Sequence, residues 1–324
     1  MNLLIELNNF HEEVLYGEYI NNLELNINSY ILTTKVNFKN GLFDSIDPKY
    51  KIELYNSTSF ISVINQINGI IKSHNINTIT LITCERKFEI LTYLFLKIRN
   101  HKILFNRFSH NIPINIFLLL KKPLELLTIL VSNRNYFIDN RVNISLLPKK
   151  FEYREVFYGK FKDVLKLNIP KNFVINSDDV YIVVIGTISY KRRNYLSLIT
   201  EVKKIKNKNV KFILLTNYNS DDGIDFYNKI IENDLFDRFI FFNYYLNYSE
   251  FCKIIDISHA SALLFDDSVL LIQDYLNNKV SSAVKFSEEF KKTILSSNDF
   301  TLKLNSKVIY YNSTFISEGI NILF

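Results

Sequence analysis

Between residues 180 and 295, short apolar runs alternate with stretches in which apolar residues return every three or four positions. The runs at 180–185, 210–216, 238–242, 261–265 and 279–284 are rich in β-branched and aromatic residues, the pattern of strands covered on both faces. Between them Tyr195, Leu198, Ile199, Val202 and Ile205 share one helical face, and Ile224, Tyr227, Ile231 and Leu235 share another. Ser249 is placed to cap a helix running through Ile257. Ser287 is placed to cap one that opens with Glu288 and Glu289, whose charge suits the positive end of a helix. Regular alternation of this kind predicts a parallel, doubly wound sheet with right-handed crossovers.

The first half repeats the alternation less regularly. Strands are expected at 3–7, 29–33, 51–55, 78–83 and 102–105, and helices at 60–73 and 88–98, which makes a second Rossmann-like domain. From Pro148 to Ser177 the chain turns polar and basic (Lys149, Lys150, Arg154, Lys160), marking the connection, with the boundary between about Pro148 and Asp179. The expected division of this α/β chain is 1–165, 166–300 and a C-terminal segment, 301–324, that returns to pack on the first domain. A strand is expected at 307–311 within that segment.

Composition sharpens this picture in a few places. Hydrophobic residues make up 48% and aromatics 15% of the 324 residues, ample for two cores. With 7 glycines and 5 prolines, turns fall largely to Asn, Asp and Ser. The net charge of +6 suits an anionic partner, but Lys and Arg are dispersed and no recognised nucleic-acid motif is present, so no nucleic acid is expected. Cys84 and Cys252 read as buried free thiols of a reducing compartment. The start of the chain lacks a basic stretch followed by a long apolar one, and the apolar region 112–131 is broken by Lys121, Lys122, Pro123 and Glu125, so a cytoplasmic protein is expected. Residues 117–122, with the basic connection, offer a peripheral contact with anionic lipid on the inner face of a membrane. A buried helix followed by a solvated lysine pair accounts for the same residues.

Chemistry concentrates after the strand at 180–185. Gly186 closes it, and Lys191, Arg192 and Arg193 follow at the start of the next helix. A glycine turn with fixed positive charge at a strand end and helix start is how α/β proteins hold phosphates. The alternative, a solvated basic helix start, would oppose the helix dipole. The run Val183-Val184-Ile185-Gly186-Thr187-Ile188-Ser189-Tyr190-Lys191-Arg192-Arg193-Asn194 resembles the opening of the C-terminal domain of GT-B glycosyltransferases, particularly those of retaining family four. The likeness continues through Phe212–Asn217, Arg238–Phe242 and Tyr248–Ala260, although glycines usual in the family are replaced. It implies two Rossmann-like domains facing each other across a cleft, with a nucleotide-sugar donor against the C-terminal one. Gly186 would let the donor diphosphate approach, and Arg192, with Lys191 or Arg193, would neutralise it. Arg192 is the expected leader, because Lys191 lies nearest the loop and Arg193 is expected to turn outward.

The family's paired acids would correspond to Asp266 and Asp274, seven residues intervening, with Asp267 beside the first; the likeness assigns them to the donor sugar and ribose. Asp266 and Asp267 could equally cap a helix from Ser268. His110 would be the catalytic residue of the acceptor side, whereas His259 reads as a cap or packing residue. His11, His74 and His101 show no zinc spacing, and Glu12 and Glu13 are expected at the surface. Neither metal nor cofactor is expected beyond the donor itself. The implied activity is transfer of a sugar from a nucleotide sugar to a glycan or lipid-linked acceptor, in bacterial surface polysaccharide synthesis. The missing glycines and the aspartates in place of glutamates leave two alternatives open. One is another GT-B chemistry (inverting transferase, sugar epimerase, pyruvyl transferase); the other is a catalytically degenerate nucleotide- or partner-binding protein.

Overall fold

The computed structural model describes the chain except for residues 10, 56–58, 110–122, 138–150, 155–165, 172, 271–280, 302–305, 313 and 324. His110, Asp274 and the lipid-contact stretch 117–122 therefore lie outside the described residues. The chain divides into two compact units, Met1–Tyr158 and Gly159–Phe324. No helix among the described residues is long and apolar enough to cross a membrane.

Among the described residues the first unit holds a seven-stranded parallel sheet: β1 (Asn2–Ile5), β2 (Ser29–Thr33), β3 (Lys51–Glu53), β4 (Thr78–Leu81), β5 (Leu104–Ser109), β6 (Arg134–Phe137) and β7 (Phe151–Tyr153), in the order β3-β2-β1-β4-β5-β6-β7. β1 pairs along its whole length with Ser29–Leu32 on one side and Thr78–Leu81 on the other. The connecting helices are α1 (Glu12–Glu24), α2 (Lys35–Lys39), α3 (Phe60–His74), α4 (Lys87–Arg99) and α5 (Pro123–Val131). Leu3 and Ile5 of β1 and Ile79 and Leu81 of β4 form one core with Val63 and Ile67 of α3 and Tyr93 and Leu96 of α4. Each such aliphatic side chain contributes about 1.5–3 kcal/mol on burial.

The second unit repeats the plan with β8 (Val180–Ile185), β9 (Val210–Asn217), β10 (Phe239–Phe242), β11 (Ala260–Ala262), β12 (Thr293–Ser297) and β13 (Val308–Tyr311), ordered β10-β9-β8-β11-β12-β13 and parallel throughout. Its helices are α6 (Tyr195–Val202), α7 (Asp221–Glu232), α8 (Tyr248–Ile257), α9 (Ser282–Glu289) and α10 (Ile316–Leu323). Tyr195, Leu198 and Val202 of α6 pack into one core with β8 and β9, as their spacing predicts, and Phe226 and Ile230 of α7 join them. The face expected for α7 is corrected, since Ile224 and Ile231 are exposed and the helix turns Gly223, Phe226 and Ile230 inward. In both sheets the strand order reverses beside the first strand, between β1 and β4 and between β8 and β11. Ligands of doubly wound sheets bind beyond the C-terminal strand ends at this switch.

Several expectations are corrected here. Of the strand expected at 279–284, residues 279 and 280 lie outside the described residues, and from Ser282 the chain is helix α9, with Ala283, Val284, Phe286 and Ser287 buried at helical spacing. A short apolar run fits either element, and its burial period decides. The next strand is instead β12, disguised because Ser296 and Ser297 occupy buried positions. Ser287 lies inside α9 and donates to Ala283 O at 2.7 Å, so it caps nothing. α8 is capped by Asn247, which accepts from Glu250 N at 3.0 Å while Glu250 accepts from Asn247 N at 3.2 Å. Ser249 binds the connection instead: its hydroxyl accepts from Asn168 N at 2.9 Å and donates to Lys166 O. The C-terminal helix α10 buries Ile316 and Ile320 against the core of the second unit, sharing it with Ile309 and Tyr311 of β13.

Candidate functional site

At the switch of the second sheet β8 runs into Gly186, whose φ of +108° is a conformation side chains rarely adopt. The loop that follows is braced. Arg192 N and Arg193 N both donate to Ser189 O at 3.0 Å. Tyr190 ties the loop to α7, its N–H donating to Asp222 Oδ2 at 3.0 Å and its hydroxyl to Asp225 Oδ2 at 2.6 Å. This turn aims Arg193 back at the strand end. A Cβ added to Gly186 would stand 2.8 Å from Arg193 Nη2 and 3.1 Å from Nη1. The guanidinium lies 5.4 Å over the Phe265 ring, donates through Nη1 to Thr187 O at 3.3 Å, and is 6% exposed. Its Nε has no hydrogen-bond partner among the described residues, nor does any carboxylate there form an ion pair with it.

Lys191 and Arg192, by contrast, are exposed. One expectation is corrected: Arg193, expected to turn outward, turns in against Gly186, while Arg192 is exposed. Adjacent residues of a tight turn point in different directions, and the Tyr190 anchors decide which cation faces the strand.

The acids after β11 are equally constrained. Asp266 is buried; its Oδ2 accepts from Asn194 Nδ2 at 2.7 Å, and its Oδ1 accepts from Ser268 N at 3.0 Å and from the Ser268 hydroxyl. Asp267 is exposed. His259 spans the strand pair, its N–H donating to Tyr181 O at 2.8 Å and its Nδ1 accepting from Tyr181 N at 3.1 Å, a packing role as expected.

A second polar cluster crowns the first sheet, and sequence reasoning missed its centre. β1 leads into Glu6, fully buried, which accepts from Thr83 Oγ1 at 2.5 Å, Asn8 N at 2.8 Å and Asn8 Nδ2 at 3.1 Å. Burial pushes its carboxyl up to about 8, against the lowering effect of the Thr83 and Asn8 bonds. Asn8 Nδ2 also donates to Glu89 Oε1 at 2.8 Å, and Glu89 Oε2 accepts from Arg86 N at 2.7 Å, capping α4. His11 precedes α1 in a left-handed conformation, φ 63°, with Nδ1 3.8 Å from Glu13 Oε1. Burial works against its charged form, but Glu13, with Glu6 and Glu85, more than offsets this and holds its pKa above the ordinary value. Glu12, expected at the surface, is half-buried: burial and then the Glu13 charge push it up to about 7, with Asn40 Nδ2 donating to it at 2.9 Å. The signal available in the sequence was Glu6 itself, an acid that directly follows an apolar strand at the end where ligands bind.

Gly186 yields a direct test. Alanine there should strain the backbone at positive φ, costing about 1–3 kcal/mol, and displace the Arg193 guanidinium. The expected result is a lowered melting temperature together with weaker binding of nucleoside diphosphate by calorimetry; unaltered values for both would remove Gly186 from the site.

Comparison with solved structures places this architecture. A putative UDP-N-acetylglucosamine 2-epimerase from Listeria monocytogenes superposes with a TM-score of 0.60 at 12% identity, over 99% of this chain and 81% of that one. A glycosyltransferase from Rickettsia africae gives 0.62 at 13% identity, over 100% and 87%. Anabaena HepE in complex with UDP gives 0.62 at 8% identity, over 100% and 89%. The fold is GT-B. No family model matches the sequence, and no curated protein matches it. At these identities the likeness extends to the fold, and the family-four resemblance of the second unit stays a resemblance.

Proposed function

We propose that this chain is a nucleotide-sugar enzyme whose second unit binds the donor diphosphate at Gly186 and Arg193, and that it acts as a glycosyltransferase. One observation carries the reading: a buried guanidinium with an unpartnered Nε, set against a positive-φ glycine at the switch point of a parallel sheet. Burying a cation costs several kcal/mol unless an anion compensates it, and a phosphate is the anion that a strand-end glycine beside a helix start admits. When the sugar bond breaks, the departing diphosphate gains charge, which a preorganised guanidinium stabilises. Lys191 and Arg192, exposed on the same loop, would draw an anionic donor toward it. In the first unit Glu12, pushed up to about 7, is able to exchange a proton with a sugar hydroxyl near neutral pH, with His11 next to it in the chain. His110 keeps its acceptor-side assignment, and Asp274 its ribose assignment, as inferences from resemblance alone. A glycan or lipid-linked acceptor fits the transferase reading.

A second reading, sugar epimerisation, is favoured by the cluster of raised carboxyls at the first sheet, since inverting a carbon centre needs groups that take up and return a proton. The similar structures include UDP-N-acetylglucosamine 2-epimerases from Methanocaldococcus jannaschii and Rickettsia bellii and the putative one from Listeria monocytogenes. One experiment separates the readings. The protein is incubated with UDP-N-acetylglucosamine in deuterated buffer and followed by proton NMR. An epimerase produces the epimer with deuterium at the inverted carbon. A transferase leaves that carbon untouched and releases UDP when an acceptor is supplied. A panel of nucleotide sugars in which none binds would sink both readings; for a ligand at a hundred times its Kd, the stabilisation to look for is about 2.7 kcal/mol.

A further inference from the structure

Asp266 was expected to read the donor sugar, but its geometry suits another task. An ionised carboxylate offers about four acceptor positions. In Asp266 three are already taken by protein donors, namely Asn194 Nδ2, Ser268 N and the Ser268 hydroxyl, and the side chain is buried. Asn194 is used as completely. Its Nδ2 donates to Asp266 Oδ2 and, at 3.0 Å, to Ser268 Oγ; its Oδ1 accepts from Ser197 N at 3.0 Å, capping α6; its backbone N–H donates to Leu264 O at 2.9 Å. The loop after β8 carries Arg193 immediately before Asn194, and the loop after β11 carries Phe265, the ring under the Arg193 guanidinium, immediately before Asp266. These bonds therefore join the two walls of the switch point directly beside the cation.

We infer that Asp266 and Asn194 are positioning residues. They strap the β8 loop to the β11 loop and so hold Arg193 where a diphosphate would meet it; they do not contact the sugar. This rests on the phosphate reading of Arg193. A strap differs from a sugar contact in what its loss does. Removing a sugar contact weakens binding of the nucleotide sugar alone, whereas removing a strap weakens the bare nucleotide by the same factor, because the displaced group serves the phosphates.

The experiment is calorimetric titration of UDP and UDP-N-acetylglucosamine into Asp266→Ala, Asp266→Asn and Asn194→Ser, with hydrogen exchange on the unliganded proteins. Asp266→Ala should weaken both ligands equally, by about tenfold, the loss of one charge-assisted bond. Asp266→Asn sets an NH2 donor against either Asn194 Nδ2 or Ser268 N, so it keeps one side of the strap and should weaken both ligands equally, by less than Asp266→Ala. Asn194→Ser, whose hydroxyl can still cap α6, should melt close to the wild type yet bind both ligands as weakly as Asp266→Ala. The double variant Asp266→Ala/Asn194→Ser should be no weaker than either single one. Amides of residues 187–194 should exchange faster in unliganded Asp266→Ala. Loss of UDP-N-acetylglucosamine affinity with UDP affinity intact would overturn the inference and return Asp266 to the sugar, as would additive effects of the two substitutions. Should the wild type bind no UDP, the phosphate reading falls, while the exchange rates still decide the strap: unchanged exchange in Asp266→Ala overturns it.

Discussion

Replacing Arg193 by alanine should weaken nucleoside diphosphate binding about 10- to 150-fold, the loss of one charge-assisted hydrogen bond of ~1.5–3 kcal/mol. Arg192→Ala and Lys191→Ala should change it by only a few-fold. The contrast follows from placement. Arg193 lies within contact distance of a Cβ at Gly186 and is screened from water by Phe265, whereas its two neighbours are exposed and act through solvent. The salt dependence should separate them further: the contributions of Lys191 and Arg192 fade as ionic strength rises, and that of Arg193 persists. The unliganded Arg193→Ala protein should melt close to the wild type, because the substitution removes a costly buried charge along with its Thr187 bond. Calorimetry with UDP on the three variants, at low and high salt, checks this. Full affinity in Arg193→Ala, with losses in Arg192→Ala, would restore the order expected from the sequence and remove the main support for the site.

Why Arg193 was illegible while its surroundings were legible is a matter of range. β8, α6 and β9 declare themselves locally, because a run such as Tyr181–Ile185 is buried on both faces and α6 repeats apolar residues at the helical period. Which of three adjacent cations turns inward depends on Tyr190 reaching Asp222 and Asp225, more than thirty residues away, and no local pattern encodes that. α1 escaped notice for a related reason. Its buried positions include Glu18, Asn21 and Asn22, acceptable inside only because Arg154 donates to Glu18 at 2.9 Å and Asn22 donates to Ser29 at 3.0 Å. Polar groups paired across long sequence separations look like surface until the partner is in place. Asp266 is a third instance: its spacing to Asp274 suggested sugar recognition, and only the position of Asn194 reveals how fully its carboxylate is engaged.

Glu6 should make the protein's stability fall between weakly acidic and mildly alkaline pH, and Glu6→Gln should abolish much of that slope. Its carboxyl titrates at about 8 in the folded chain against 4.5 for an unperturbed glutamate, so the folded state holds a proton that the unfolded chain has released. For a raised pKa the stabilisation is fully present below about 4.5, is lost progressively as pH rises, and is gone above about 8. At 1.36 kcal/mol per unit the full loss is on the order of 4–5 kcal/mol. His11 and Glu12, also raised, act in the same direction, so the comparison must be with the variant and not with a flat line. Glutamine suits the site without a charge: its oxygen can accept from Asn8 N and Nδ2, and its amide can donate to the Thr83 hydroxyl in place of the bond Glu6 Oε2 receives. Urea unfolding at pH 5, 7 and 9 is the measurement. The variant should match the wild type at pH 5 and exceed it by a few kcal/mol at pH 9, with unchanged m-values. Parallel stability profiles would mean that Glu6 ionises at an ordinary pKa despite its burial, and would withdraw it from the proton-exchanging cluster on which the epimerase reading depends.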